Sequence, residues 1–196
     1  MTLAGERFRA VPTDWDVVAA FFERVRRRRV VLHAAAVERR GRTLVLAGAH
    51  GRGKSTLALA LRLRGWRLLA DDLVVVEPDG AVQAVERPVR IKRGIAKALP
   101  ELRDGPSVLP LRASGPRRAR AVIVFGPHRG RLRLESMGAG AAVGALARLA
   151  WNFRDVPRDV LAALAALTRK ARAFRLSGGT VPQRCAAAEE LVDARR

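Results

Sequence analysis

A single cysteine, Cys185, stands among the 196 residues. That excludes an intramolecular disulfide and a cysteine-built zinc site, and it fits a reducing compartment. Tyrosine is absent and aromatic residues make up 5% of the chain, which weighs against the stacked-base platforms of single-strand nucleic-acid binders. No apolar run reaches the ~20 residues that a membrane-crossing helix needs. Glu6, Arg7 and Arg9 precede any apolar segment, unlike a secretion signal. The expectation is a soluble, cytoplasmic protein with no membrane partner. Lysine is also scarce: Lys54, Lys92, Lys97 and Lys170 are the only four among 38 Lys and Arg, which face 18 Asp and Glu for a net charge of +20. Arginine therefore carries the charge. Such a field raises encounter rates with anionic partners, yet arginines scattered over solvated faces would give the same figure. Charge alone does not choose between nucleic acid and an acidic peptide.

What the chain does have is a glycine-rich loop with a complete set of neighbours. Gly48, Ala49, His50, Gly51, Arg52, Gly53, Lys54 and Ser55 satisfy G-x-x-x-x-G-K-[ST], and Thr56 follows. The apolar run 43–47 reads as a buried strand entering the loop, and residues 55–64 read as a helix leaving it, with Leu57, Ala60 and Leu61 at helical spacing and Gly65 at its end. Glycines allow successive N–H groups to turn inward around phosphate oxygens, and the helix start adds unpaired donors. Lys54 is placed to reach the β- and γ-phosphates, and the Ser55 hydroxyl to ligate Mg²⁺. The pattern defines a nucleotide site that uses ATP and Mg²⁺.

The length suits one ordinary domain, with a core over 30–136 and a helical segment over 139–196. Residues 13–29 read as an amphipathic helix ending in four arginines. Residues 30–37 read as a strand, followed by a turn at 38–41 and the strand that bears the loop, which together make a hairpin. His33 is a lone polar residue in that run, either a hydrogen-bonded core histidine or part of the site beside it. Residues 66–77 read as a second buried strand interrupted by Asp71 and Asp72. Two adjacent carboxylates in an apolar run are costly unless they meet a metal or cations. An ion pair would satisfy them; beside a nucleotide site, a metal ligand and a general base are preferred. Residues 81–92 look like short strands carrying Arg90 and Lys92 on one face, where they either meet solvent or hold the acceptor. A short helix is expected over 94–99, a mobile loop over 100–116 and a hairpin of 120–125 with 131–135. Helices are expected over 140–153, 155–174 and 183–194, with Leu176 to Thr180 as a helix-ending turn.

Taken together, LHAAAV, GAHGRGKS and GWRLLADD resemble the core of the HPr kinase/phosphorylase-like kinases. His33 lies 15 residues before Gly48, and Asp71 lies 17 after Lys54. The likeness covers roughly residues 30 to 92, and RPVRIK at 87–92 is most similar to the branch associated with lasso-peptide and other modified-peptide biosynthesis. The resemblance implies an α/β fold in which a mixed sheet carries the phosphate loop, related to phosphoenolpyruvate carboxykinase, with a helical C-terminal third. It implies phosphoryl transfer to a serine of a peptide or small protein. Asp71 matches the base, His33 its assistant, and Ser55 with Asp72 the Mg²⁺ site. The bacterial enzymes' glycine-rich segment after the Asp pair and their N-terminal domain are not recognisable, which points away from HPr as the acceptor.

Two rivals stand beside the serine kinase: a phosphate-loop ATPase that uses its basic surface on nucleic acid, and a kinase of a small-molecule hydroxyl. The acceptor's identity and any homo-oligomer are left open by the sequence.

Overall fold

The computed structural model describes residues 2–3, 6–7, 25, 29–85, 87–111 and 114–194. The helix expected over 13–29 lies outside them apart from Val25 and Arg29. In chain order the first elements are β1 (Thr2–Leu3), β2 (Glu6–Arg7), β3 (Val30–Leu32), β4 (Ala34–Arg39), β5 (Arg42–Ala47) and helix α1 (Lys54–Leu63). Next come β6 (Arg67–Ala70), β7 (Val74–Val76), β8 (Val82–Ala84), β9 (Val89–Arg90), α2 (Arg93–Ala98) and a 3₁₀ turn at Pro100–Leu102. The remainder is β10 (Val108–Leu109), β11 (Ser114–Arg117), β12 (Ala119–Phe125), β13 (Arg133–Met137), α3 (Ala139–Ala147), α4 (Pro157–Lys170), β14 (Arg172–Ser177) and α5 (Val181–Asp193).

A six-stranded mixed sheet in the order β13-β14-β12-β5-β4-β6 forms the centre. Strands β14, β12 and β5 run parallel, while β13, β4 and β6 pair antiparallel to their neighbours. Strand alternation divides the core between the two faces. Leu44, Leu46, Ala121 and Ile123 pack with α1 and α5 on one side, and Val45, Ala47, Val122 and Val124 pack with α3 and α4 on the other. A second, antiparallel sheet, β11-β8-β7-β3, adjoins this second core.

The expected hairpin forms between β4 and β5, but the strand expected over 30–37 is divided at His33, and residues 30–32 belong to the smaller sheet as β3. The hairpin turn places Arg40 and Gly41 at φ of 50° and 72°, the positive pair that a two-residue hairpin turn requires.

Several expectations need correction. The C-terminal third is not helical throughout: β14 is a strand of the main sheet where a helix was expected to run on to Phe174. Nothing in ALTRKARAF breaks a helix, but Ala171 takes φ −119° and ψ 137°, and Ala173, Phe174 and Leu176 are buried in the sheet. The hairpin of 120–125 with 131–135 does not form, because β14 lies between β12 and β13. Gly178 and Gly179 therefore end a strand, not a helix. Residues 66–77 are two strands in different sheets, and the expected 100–116 loop contains β10, which pairs with β9, and β11, which pairs with β8.

Among the described residues no helix is long and apolar enough to cross a membrane.

Candidate functional site

Two neighbouring strand runs change sheet at the same level, and that crossing builds one wall of the site. His33 links β3 of the smaller sheet to β4 of the larger, and Asp71, Asp72 and Leu73 link β6 to β7 in the reverse sense. Leu32 pairs with Val74 and Ala36 with Ala70, so the two links lie side by side. The His33 Nε2 stands 3.7 Å from Asp72 Oδ1. Asp72 is in the left-handed region at φ 66°, a conformation that aspartate tolerates better than most residues. The hairpin register also pairs Ala34 with Ala47, which brings His33 next to Gly48 and the loop.

The loop leaves the C-terminal end of β5, a central strand with neighbours on both sides. Gly53 takes φ 92° and ψ 16° as the residue before α1, where a side chain would be strained. No side chain caps this helix, and its first turn holds no acidic residue. By contrast, Thr180 and Gln183 form a complete capping box on α5. The first N–H groups of α1 thus face the loop as anion donors. Lys54 is 4% exposed, and its Nζ donates to the carbonyls of Gly48 at 2.8 Å and Ala49 at 3.1 Å. Burial lowers its pKa, and the charges of Asp72 and Asp71 oppose that shift.

Across from the loop, Ser55 donates its hydroxyl to Asp71 Oδ1 at 2.9 Å. Burial pushes the Asp71 carboxyl up, the Asp72 charge adds to the rise, and the Ser55 bond opposes it. Asp72 moves the other way: His33 holds its carboxyl below the usual range against the effect of burial, and Lys92 and Arg87 assist. Two adjacent aspartates therefore differ in proton affinity, a division typical of acid–base sites.

Two cavities open here. One of about 320 Å³ is lined by His33, His50, Lys54, Ser55, Thr56 and Asp72, together with Gly51 and Gly53. The other, about 370 Å³, brings Ser55, Asp71 and Asp72 together with Arg87, Arg90 and Lys92. Of the sequence-derived candidates, all but Gly48, Ala49 and Arg52 line one or both of these cavities, and those three belong to the loop itself. Ser55 and Asp72, the residues matched to the Mg²⁺ site, line both cavities, and the Ser55 hydroxyl bonds to Asp71.

Sequence reasoning missed four neighbours. Arg87 stood in RPVRIK without an assigned role. Trp151 is 47% exposed and meets the His33 ring edge-on at 6.0 Å. His128 bonds to the Gly51 carbonyl, and Arg184 donates to the Gly178 carbonyl at 2.7 Å while approaching His128. The last three come from distant segments, and local spacing carries no signal for them.

Among the described residues no group of three or more His, Cys, Asp or Glu could hold a metal. A carboxylate pair and a serine beside a phosphate cradle suit Mg²⁺, which binds through one or two carboxylates plus substrate phosphates.

The chain matches no family model and no curated protein. Among solved structures it is similar to the HPr(Ser) kinase/phosphatase of Coxiella burnetii, at 13% identity and a TM-score of 0.43, over 83% of this chain and 93% of that one.

Proposed function

We propose that this chain transfers the γ-phosphoryl group of ATP to a serine hydroxyl of a peptide or small protein. The observation that carries this reading is the pairing of Ser55 with Asp71 at 2.9 Å, which sets a carboxyl with raised pKa directly against the uncapped, glycine-led start of a helix. The serine oxygen attacks the γ-phosphorus, its bond to the bridging oxygen breaks, and ADP leaves. Asp71 takes the hydroxyl proton, a task favoured by a carboxylate of raised pKa. His33 keeps Asp72 ionised. Gly48 to Thr56 cradle the phosphates, and Lys54 exchanges its loop carbonyls for phosphate oxygens. Ser55 and Asp72 would hold Mg²⁺, which neutralises phosphate charge.

The wall of Arg87, Arg90 and Lys92 favours an acceptor with acidic residues near the serine, of which a ribosomally made precursor peptide is one kind. The whole chain acts as a single kinase domain in this reading, and it works in the cytoplasm, where ATP is at hand.

Intact-mass spectrometry of candidate peptides incubated with the protein, ATP and Mg²⁺ tests the proposal. A gain of one HPO₃ that is lost with Lys54→Ala supports it. Intact nucleotide binding with no phosphorylated peptide would remove the peptide acceptor.

A further inference from the structure

The opposite end of the main sheet holds a larger and more strongly charged cavity. It measures about 740 Å³ and is lined by Arg42, Arg118, Arg120, Arg169, Lys170 and Arg172, with small residues between them. Among the described residues no carboxylate lines it. These cations gather because three parallel strands begin at this pole. Arg42 opens β5, Arg118 and Arg120 flank the start of β12, and Arg172 opens β14, while Arg169 and Lys170 close α4. The helix dipole accounts for the pair at the end of α4. It does not account for the four on the strand starts.

Some of their capacity is used within the fold. Arg42 donates to the Val192 carbonyl at 2.5 Å, Arg120 makes contacts that include a bond to the Ala194 carbonyl at 2.7 Å, and the Arg172 guanidinium lies over the Phe174 ring at 5.0 Å. Lys170 bonds the Asp79 carbonyl at 2.6 Å and lies 3.7 Å from its carboxylate. A guanidinium has five donors, so the bond from Arg42 occupies a small part of its capacity. Arg118, Arg169 and Arg172 are exposed at the cavity.

We propose that this cavity is a second anion site, built for a compact ligand that carries several phosphate groups. Its volume lies within the roughly 300–1,000 Å³ of small-molecule sites, whereas a nucleic-acid backbone needs an extended basic stripe. Arginine forks match phosphate oxygens in a bidentate manner. The six residues of β5 separate this site from the glycine loop by about 20 Å, so the two ligands do not compete.

The test is calorimetric titration of inorganic tripolyphosphate into the full chain carrying Lys54→Ala, which disables the loop. One saturable site is expected. Adding Arg169→Ala and Arg172→Ala, both exposed positions, weakens it at least tenfold, and Arg169→Lys with Arg172→Lys weakens it by a smaller factor because charge is kept and the fork is lost. General attraction to a chain of +20 would barely notice the loss of two cations. Unchanged affinity in the alanine pair, or no saturable binding in the Lys54→Ala chain, overturns the proposal. So does a single-stranded oligonucleotide or polyglutamate that binds this site more tightly than tripolyphosphate does.

Discussion

Ser55 and Asp71 face one another across 2.9 Å, so the residue after the loop lysine is already joined to the first carboxylate of the pair. Asp72 turns to His33 instead. The division makes the two aspartates opposite in their effect on stability. Asp71, with its carboxyl raised by burial, binds a proton more tightly in the folded chain than in the unfolded one. Its contribution to stability therefore falls as pH rises from the ordinary value through the raised one, and stays low above it. Asp72, held down by His33, contributes stability above the unfolded value and loses it as pH falls through the folded one. In metal-free protein near pH 7, Asp71→Asn is expected to raise the urea midpoint and Asp72→Asn to lower it. Denaturation series in chelator between about pH 3 and pH 8, which span the carboxylate range and beyond, check this; shifts of the same sign in both variants would refute the assignment.

The gain in stability from Asp71→Asn is expected to come with a loss of chemistry. Phosphoryl transfer falls by at least ~10²-fold, the usual scale for a missing general base, while ATP affinity changes little. Single-turnover assays beside nucleotide titrations separate the two effects.

Lys54 bridges two loop carbonyls from a buried position. Charge-assisted bonds of this kind contribute about 1.5–3 kcal/mol, so Lys54→Ala weakens ATP binding by roughly 10- to 100-fold. Adenosine, which lacks phosphate, should be unaffected in the same titration.

Arg184 is 8% exposed, and burial lowers its pKa. Its Nη1 would lie 3.2 Å from a Cβ placed on Gly53, so it supports the loop from behind. Arg184→Ala is expected to cost about 1–3 kcal/mol through the lost bond to the Gly178 carbonyl and to weaken nucleotide binding along with it. Urea melts with and without ATP measure both effects; nucleotide affinity at the parent level would show that Arg184 serves the fold alone.

Glycine substitutions separate packing from propensity. A Cβ at Gly80, where φ is 84°, would lie 2.4 Å from the Leu167 backbone nitrogen in α4. Gly80→Ala is expected to destabilise by about 2–4 kcal/mol, the range of severe backbone conflicts. Gly144 sits inside α3 with nothing near its missing Cβ, and Gly144→Ala should stabilise by about 0.5–1 kcal/mol. Thermal melts of the two variants decide this.

The loop, its strand and its helix were legible because each is written locally: a glycine pattern, an apolar run and a helical period. The place of His33 also follows from the hairpin, since pairing Ala34 with Ala47 puts it beside Gly48. What sequence could not show was set by tertiary pairing. Ala171 and Phe174 fit a helical period as well as a strand, and the open position between β12 and β13 decides for the strand. Likewise Asp71 and Asp72 read as a break in one strand, whereas they mark a passage between two sheets. Arg184 and His128 reach the loop from segments far along the chain, and no spacing rule joins them to it.

The order of the central strands also governs how the protein comes together during synthesis. As β5 leaves the ribosome it has only the β4 hairpin to pair with. Its other edge waits for residues 119–125, and β12 in turn waits for β14 at 172–177. Helix α5, which shares one face of the main sheet with α1, is made later still. Such distant pairings close slowly. The glycine loop is thus synthesised early and braced late, so for much of translation the nascent chain presents an unpaired edge of β5 that is open to misassociation.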